Sequence, residues 1–87
     1  MTTQEISKEV LRILGNIAPE ADLSGVRPDV PFRDQFDLDS MDMLNFVIAL
    51  HKQFQIEIPE ADYPRLSSLE GCAEYLESRQ SAREPAR

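Results

Sequence analysis

The chain has 87 residues, sixteen acidic against nine basic for a formal net charge of −7 at pH 7, and 41% of its residues are hydrophobic. A chain this short makes one small domain with a modest core, and its acidity excludes nucleic acid and anionic membrane surfaces as partners while favouring basic protein patches. A lone cysteine forms no internal disulfide, the longest apolar run covers only residues 46–50, and MTTQEISKEV has neither a basic start nor an apolar signal core, so no membrane insertion and a cytoplasmic location are expected.

Ile6, Val10, Ile13, Leu14 and Ile17 recur on one helical face, Thr2 and Glu5 have the spacing of a capping box, and Pro19 ends the pattern. This predicts a first helix. Residues 18–39 keep no period. Gly25, Pro28 and Pro31 punctuate them, and the scattered Leu23, Val26, Val30, Phe32, Phe36 and Leu38 predict a long, functional loop tacked onto the core. A second helix is predicted from about Ser40 to Phe54, with Asp39 as N-cap and Asp42 favourably placed in the first turn. Pro59 suits the first position of a short third helix that Pro64 ends. Ser67 and Glu70 repeat the capping-box spacing before a fourth helix with Leu69, Cys72, Ala73 and Leu76 facing inward, where Cys72 reads as a small buried apolar residue. From Ser78 onward no apolar residue exceeds alanine, which predicts a domain at 1–79 and a flexible tail at 80–87. The elements sum to an all-α four-helix bundle with a long loop between helices one and two and a short third helix.

On the predicted second helix, about 100° per residue gathers Met43, Phe46, Val47, Leu50 and Phe54 into a core sector. Leu44 and Ile48 fall on another face and read as partner contacts, while Met41 is balanced between contact and burial under the loop. Ser40 lies in the first turn, where backbone N–H groups favour an attached phosphate. It has no histidine base. His51, the only histidine, is eleven residues away, about 16 Å along a continuous helix, and reads as a solvated surface residue. The carboxylates Asp34, Asp37, Asp39 and Asp42 fail the calcium-loop template, because the sixth position from Asp37 is Asp42 instead of glycine and the twelfth is Ile48 instead of glutamate. Zinc spacings and phosphate-cradling glycine loops are absent too, and no metal site is assigned.

The stretch FRDQFDLDSMDMLNFVIAL, residues 32–50, followed by FQIEIP, residues 54–59, resembles the acyl carrier protein family, in which the serine of an Asp-Ser-Leu motif carries phosphopantetheine. Here the motif is Asp39-Ser40-Met41, and the resemblance runs from about Ile6 to Leu76 with helix order and loop lengths in register. It implies a monomeric carrier, not an enzyme, with phosphopantetheine on Ser40 beside Asp39. The implied partners are a phosphopantetheinyl transferase and acyl-activating, acyltransferase or ketosynthase-type enzymes that dock on Met41, Asp42, Leu44 and Ile48.

Two departures stand out. Glycine is common in the family where Asp37 stands, and aspartate tolerates fewer backbone conformations. Between Ser40 and Phe54 the only full charges are Asp42 and Lys52, where carriers are commonly acidic. The thin charge points to a specialised lipid or secondary-metabolite pathway over housekeeping fatty acid biosynthesis. The alternative from another class is a cofactor-free helical interaction module using the same apolar face and indifferent to the loss of Ser40.

Overall fold

The computed structural model describes residues 2–83, and among them every regular element is helical. Helix α1 (Thr3–Ile17) begins with the expected capping box: Thr2 Oγ1 accepts the Glu5 N–H at 3.1 Å and Glu5 Oε1 accepts the Thr2 N–H at 2.7 Å. Its buried face is Ile6, Val10, Ile13 and Leu14. Helices α3 (Ser40–Phe54) and α4 (Leu69–Arg83) are equally long at fifteen residues each, and both pack on α1. Their inward residues, Phe46, Val47, Leu50 and Phe54 from α3 with Leu69, Cys72, Ala73 and Leu76 from α4, join one core. Met43 stays half-buried at its edge. Among the described residues no helix is long and apolar enough to cross a membrane.

The connection from α1 to α3 is more ordered than its lack of period predicts. It holds a 3-10 turn at Leu23–Gly25 and a four-residue helix, α2 (Phe32–Gln35). Three anchors fix it. The Phe32 side chain is completely buried, with its ring edge-on to Phe46 at 5.5 Å between centroids, a burial worth about 1.5–3 kcal/mol plus about 0.5–1.5 kcal/mol for the ring pair. The Phe32 and Glu70 N–H groups donate to the carbonyls of Ser67 (2.7 Å) and Pro28 (2.9 Å). The Gln35 amide donates to the carbonyls of Arg27 and Val30 and accepts the Arg27 N–H, at 2.7–2.9 Å.

Four local expectations need correction. The third helix is a 3-10 helix at Glu60–Leu66 with Pro59 as its N-cap, and Pro64 lies inside it instead of ending it. Pro64 has no N–H to bond back along an α-helix, so the segment winds as short i to i+3 turns that tolerate the missing donor. The cap of α4 comes from Ser68, whose Oγ accepts the Gly71 N–H at 3.1 Å. Ser67 instead closes the 3-10 helix in αR conformation and gives its carbonyl to Phe32. Helix α4 runs through Arg83, past the residue where fraying is predicted. Arg79 is held by Asp62 at 2.8 Å and lies over the Tyr75 ring, which extends the ordered helix beyond its apolar residues. Residues 84–87 of the expected tail lie outside the described residues. Tyr75, absent from the predicted core, is only 1% exposed.

Gly71 marks the tightest backbone approach. A Cβ there would sit 2.4 Å from the Arg65 carbonyl oxygen, whereas one on Gly25 would meet nothing within 4 Å. Gly71→Ala is therefore expected to lower stability by about 1–2 kcal/mol in urea unfolding, because the clash outweighs alanine's gain in helix propensity. Gly25→Ala should unfold at the same denaturant concentration as the wild type.

Candidate functional site

Helix α3 starts where the anchored connection delivers it. Asp39 Oδ1 accepts the Asp42 N–H at 2.8 Å, and Asp42 Oδ2 accepts the Asp39 N–H at 3.2 Å, a reciprocal box that fixes the first turn. Ser40 is the first helical residue; it is exposed, and its hydroxyl makes no hydrogen bond within residues 2–83. The two carboxylates satisfy the amides of Asp39 and Asp42, which leaves the N–H groups of Ser40 and Met41 turned out at the helix start, where the macrodipole favours an anion. An unengaged hydroxyl beside such donors suits an esterified phosphate.

Asp37 precedes this turn without strain. The only residue other than glycine with positive φ among those described is Gln55, at 54°. The conformation that would favour glycine at Asp37 is thus not adopted, which removes the backbone objection raised by the sequence.

Met41, Leu44 and Ile48 are the exposed large hydrophobic residues of the described chain, at 61%, 39% and 40% exposure. Their i, i+3, i+7 spacing lays them in one stripe along α3, which starts beside Ser40. Asp42 is half-buried by its capping role. The predicted site residues therefore occupy one end and one face of a single helix.

Two open hollows flank that face. One, of about 200 Å³, is lined by Arg33, Ser40, Met43, Leu44, Val47 and Tyr63. The next, of about 190 Å³, shares Val47 and Tyr63 and continues past Ile48, His51, Glu57 and Ile58. Together they form a furrow between α3 and the 3-10 helix, leading from the serine along an apolar wall. Arg33 and Tyr63 were missed in the sequence. The signals for them were Pro31 ahead of the short FRDQ turn and an aromatic between Pro59 and Pro64.

The wall opposite α3 is held by a polar clasp. Asp62 Oδ2 accepts both the Tyr75 hydroxyl and the Arg79 guanidinium at 2.8 Å, and Arg65 and Arg79 each lie 5.0 Å from the Tyr75 ring centroid. The Tyr75 hydrogen bond, aided by Arg79, holds Asp62 below the usual carboxylate range. Burial pushes Tyr75 up, and its bond to Asp62 adds to this.

His51 is exposed but not free. Its Nδ1–H donates to the Ile56 carbonyl at 2.7 Å, and its own carbonyl accepts the Gln55 and Ile56 N–H groups, so it closes the end of α3. The surface position is as read from the sequence; the added bond arises because the left-handed Gln55 turns the chain back within reach of the ring. With Nδ1 occupied and Ser40 at the other end of the helix, His51 is no base for that hydroxyl. Cys72 is completely buried, its Sγ donates to the Leu66 carbonyl at 3.3 Å, and burial pushes its thiol up. No group of three or more His, Cys, Asp or Glu side chains among the described residues is arranged to hold a metal. The arrangement presents an exposed hydroxyl at a helix start that can hold a group joined to it.

The family model described as a phosphopantetheine attachment site matches residues 4–76. Polyketide-8 synthase acyl carrier protein 2 of Streptomyces avermitilis is 32% identical over 78 residues, covering 90% of each chain. The acyl carrier protein of Rubrobacter xylanophilus is 27% identical over 78 residues, covering 86% of this chain and 96% of its own. The solved acyl carrier protein of Enterococcus faecalis shares the fold, with a TM-score of 0.75 at 24% identity over 91% of this chain and 99% of its own.

The clasp gives a pH dependence whose sign is set by the depressed Asp62. Its contribution is complete above the unfolded aspartate value, about pH 4, and disappears as pH falls through the lower folded value. Tyr75→Phe removes the main cause of the depression. The variant should be less stable than wild type in urea at pH 7, and the gap should narrow as the pH is lowered from 4 to 2.5.

Proposed function

The chain belongs to the acyl carrier protein family, and on that premise we propose that Ser40 is its point of phosphopantetheine attachment and that its cargo belongs to a specialised pathway. Members of this family bear phosphopantetheine covalently and carry acyl groups without catalysing their chemistry. The observation that carries the assignment is the exposed, unbonded Ser40 hydroxyl, the first residue of α3, inside the matched segment.

Attachment by a phosphopantetheinyl transferase would form a bond between Ser40 Oγ and the phosphorus on the pantetheine side of the coenzyme A phosphoanhydride as the P–O bond to the nucleotide breaks; the nucleotide would leave with that electron pair and the hydroxyl proton would pass to a base of the transferase. Once attached, the group supplies a terminal thiol that holds acyl cargo as a thioester. This chain's residues do the remainder. The Asp39–Asp42 box fixes the direction in which Ser40 points, the furrow offers apolar shelter beside it, and Met41, Leu44 and Ile48 give acyl-activating, acyltransferase or ketosynthase-type enzymes a surface to grip.

The specialised role is supported by the thin charge of α3, which carries only Asp42 and Lys52 as full charges, and by the polyketide synthase carrier among its relatives. An apolar stripe with little charge selects partners by shape and burial, with less steering by basic patches.

Intact mass after incubation with coenzyme A and a broad-specificity transferase tests the assignment. Wild type should gain one phosphopantetheine and Ser40→Ala none. Wild-type protein that stays unmodified both here and when isolated from its native cells would favour the cofactor-free interaction module. For the docking stripe, Ile48→Glu should raise the KM of a carrier-dependent partner enzyme about tenfold, some 1.4 kcal/mol of lost contact, with no change in Tm.

A further inference from the structure

Resting on Ser40 as the attachment point, we propose that Arg33 is a positioning residue that pairs with the phosphodiester of the loaded protein and fixes the direction in which the arm leaves the surface. The local charge favours a nearby cation. Residues 33–42 contain four carboxylates, Asp34, Asp37, Asp39 and Asp42, against Arg33 as the only basic side chain. A phosphodiester on Ser40 adds a permanent negative charge to that cluster, and the two exposed amides at the helix start offset it only in part.

Arg33 is placed for the task. It lines the same hollow as Ser40, where the other lining residues, Met43, Leu44, Val47 and Tyr63, carry no charge. Its backbone is rigid, since it follows the buried Phe32 in α2 and precedes Gln35, which is bonded to Arg27 and Val30. The side chain is exposed and makes no ion pair or hydrogen bond within the described residues. Four other cations are engaged elsewhere or distant. Arg12 pairs with Glu9, Arg79 with Asp62, and Arg65 lies over Tyr75. Lys52 is twelve residues along α3 from Ser40, about 18 Å away. A planar guanidinium with free donors, lining the same hollow as Ser40, is the group suited to bind a phosphate there by two parallel hydrogen bonds.

The test compares unloaded and phosphopantetheine-loaded forms of wild type, Arg33→Gln, Arg33→Lys and Lys52→Gln, each checked by intact mass. Loading should lower the Tm of Arg33→Gln by about 2–4 °C more than that of wild type, the size expected for one exposed charge pair in a domain this small. The excess should shrink in 0.5 M salt, Arg33→Lys should recover part of it, and Lys52→Gln should match wild type. In wild type the Arg33 Nε–Hε NMR signal should shift on loading. An equal loading effect in wild type and Arg33→Gln, or an Arg33 signal that does not move, overturns the proposal while leaving Ser40 attachment standing. Wild type that gains no mass overturns both, and if Arg33→Gln resists loading, the wild-type Arg33 signal alone decides.

Discussion

Phe32 is the point at which a 22-residue connection becomes part of the core. Its ring closes against Phe46 of α3, and its N–H reaches the Ser67 carbonyl just before α4. One residue thus ties the connection to α3 and to the end of the 3-10 helix just ahead of α4. Everything that matters at the start of α3 depends on this tie: with Phe32 seated, only a few residues separate a fixed backbone from Asp39, and the capping carboxylates have a defined chain to close upon. Without it, Ser40 would stand at the end of a long tether, and the conformational entropy of that tether would work against any single presentation of the hydroxyl.

The three long helices were legible because each announces itself twice, by an apolar stripe of helical period and by a terminal signal. Thr2 with Glu5, Asp39 with Asp42 and the serines before Leu69 all lie at helix starts. Legibility failed where order comes from partners distant in sequence. Gln35 organises the connection by bonding residues five and eight positions earlier, which no periodic pattern records. The choice between Ser67 and Ser68 as the α4 cap turns on Phe32 drawing the Ser67 carbonyl away. Tyr75 escaped notice because its burial depends on Asp62 satisfying its hydroxyl and on two arginines covering its ring.

At the candidate site, the Asp39-Ser40-Met41 motif and the apolar stripe of α3 could be read directly, since both belong to one helix and its cap. The furrow could not, because its second wall comes from the 3-10 helix, whose geometry Pro59 and Pro64 set in a way that sequence rules for α-helices misjudge. The same limit hid Arg33, which lines one hollow with Ser40 through tertiary packing and has no motif of its own. At Asp37 the residue type narrows the conformations that the family's glycine would permit, and the chain passes through that position with ordinary negative φ.

The burial of Cys72 has a consequence for the sulfur chemistry of the loaded carrier. It is the chain's only cysteine, its thiol is sealed in the core, and desolvation keeps it protonated. The nucleophilic form of a thiol is the thiolate, so this side chain takes no part in exchange reactions at the surface. Cargo bound as a thioester cannot pass to this cysteine, and the arm cannot form a mixed disulfide with its own carrier. The scaffold is silent towards sulfur, and thiol-selective reagents meet a single address on the loaded molecule, at the tip of the arm.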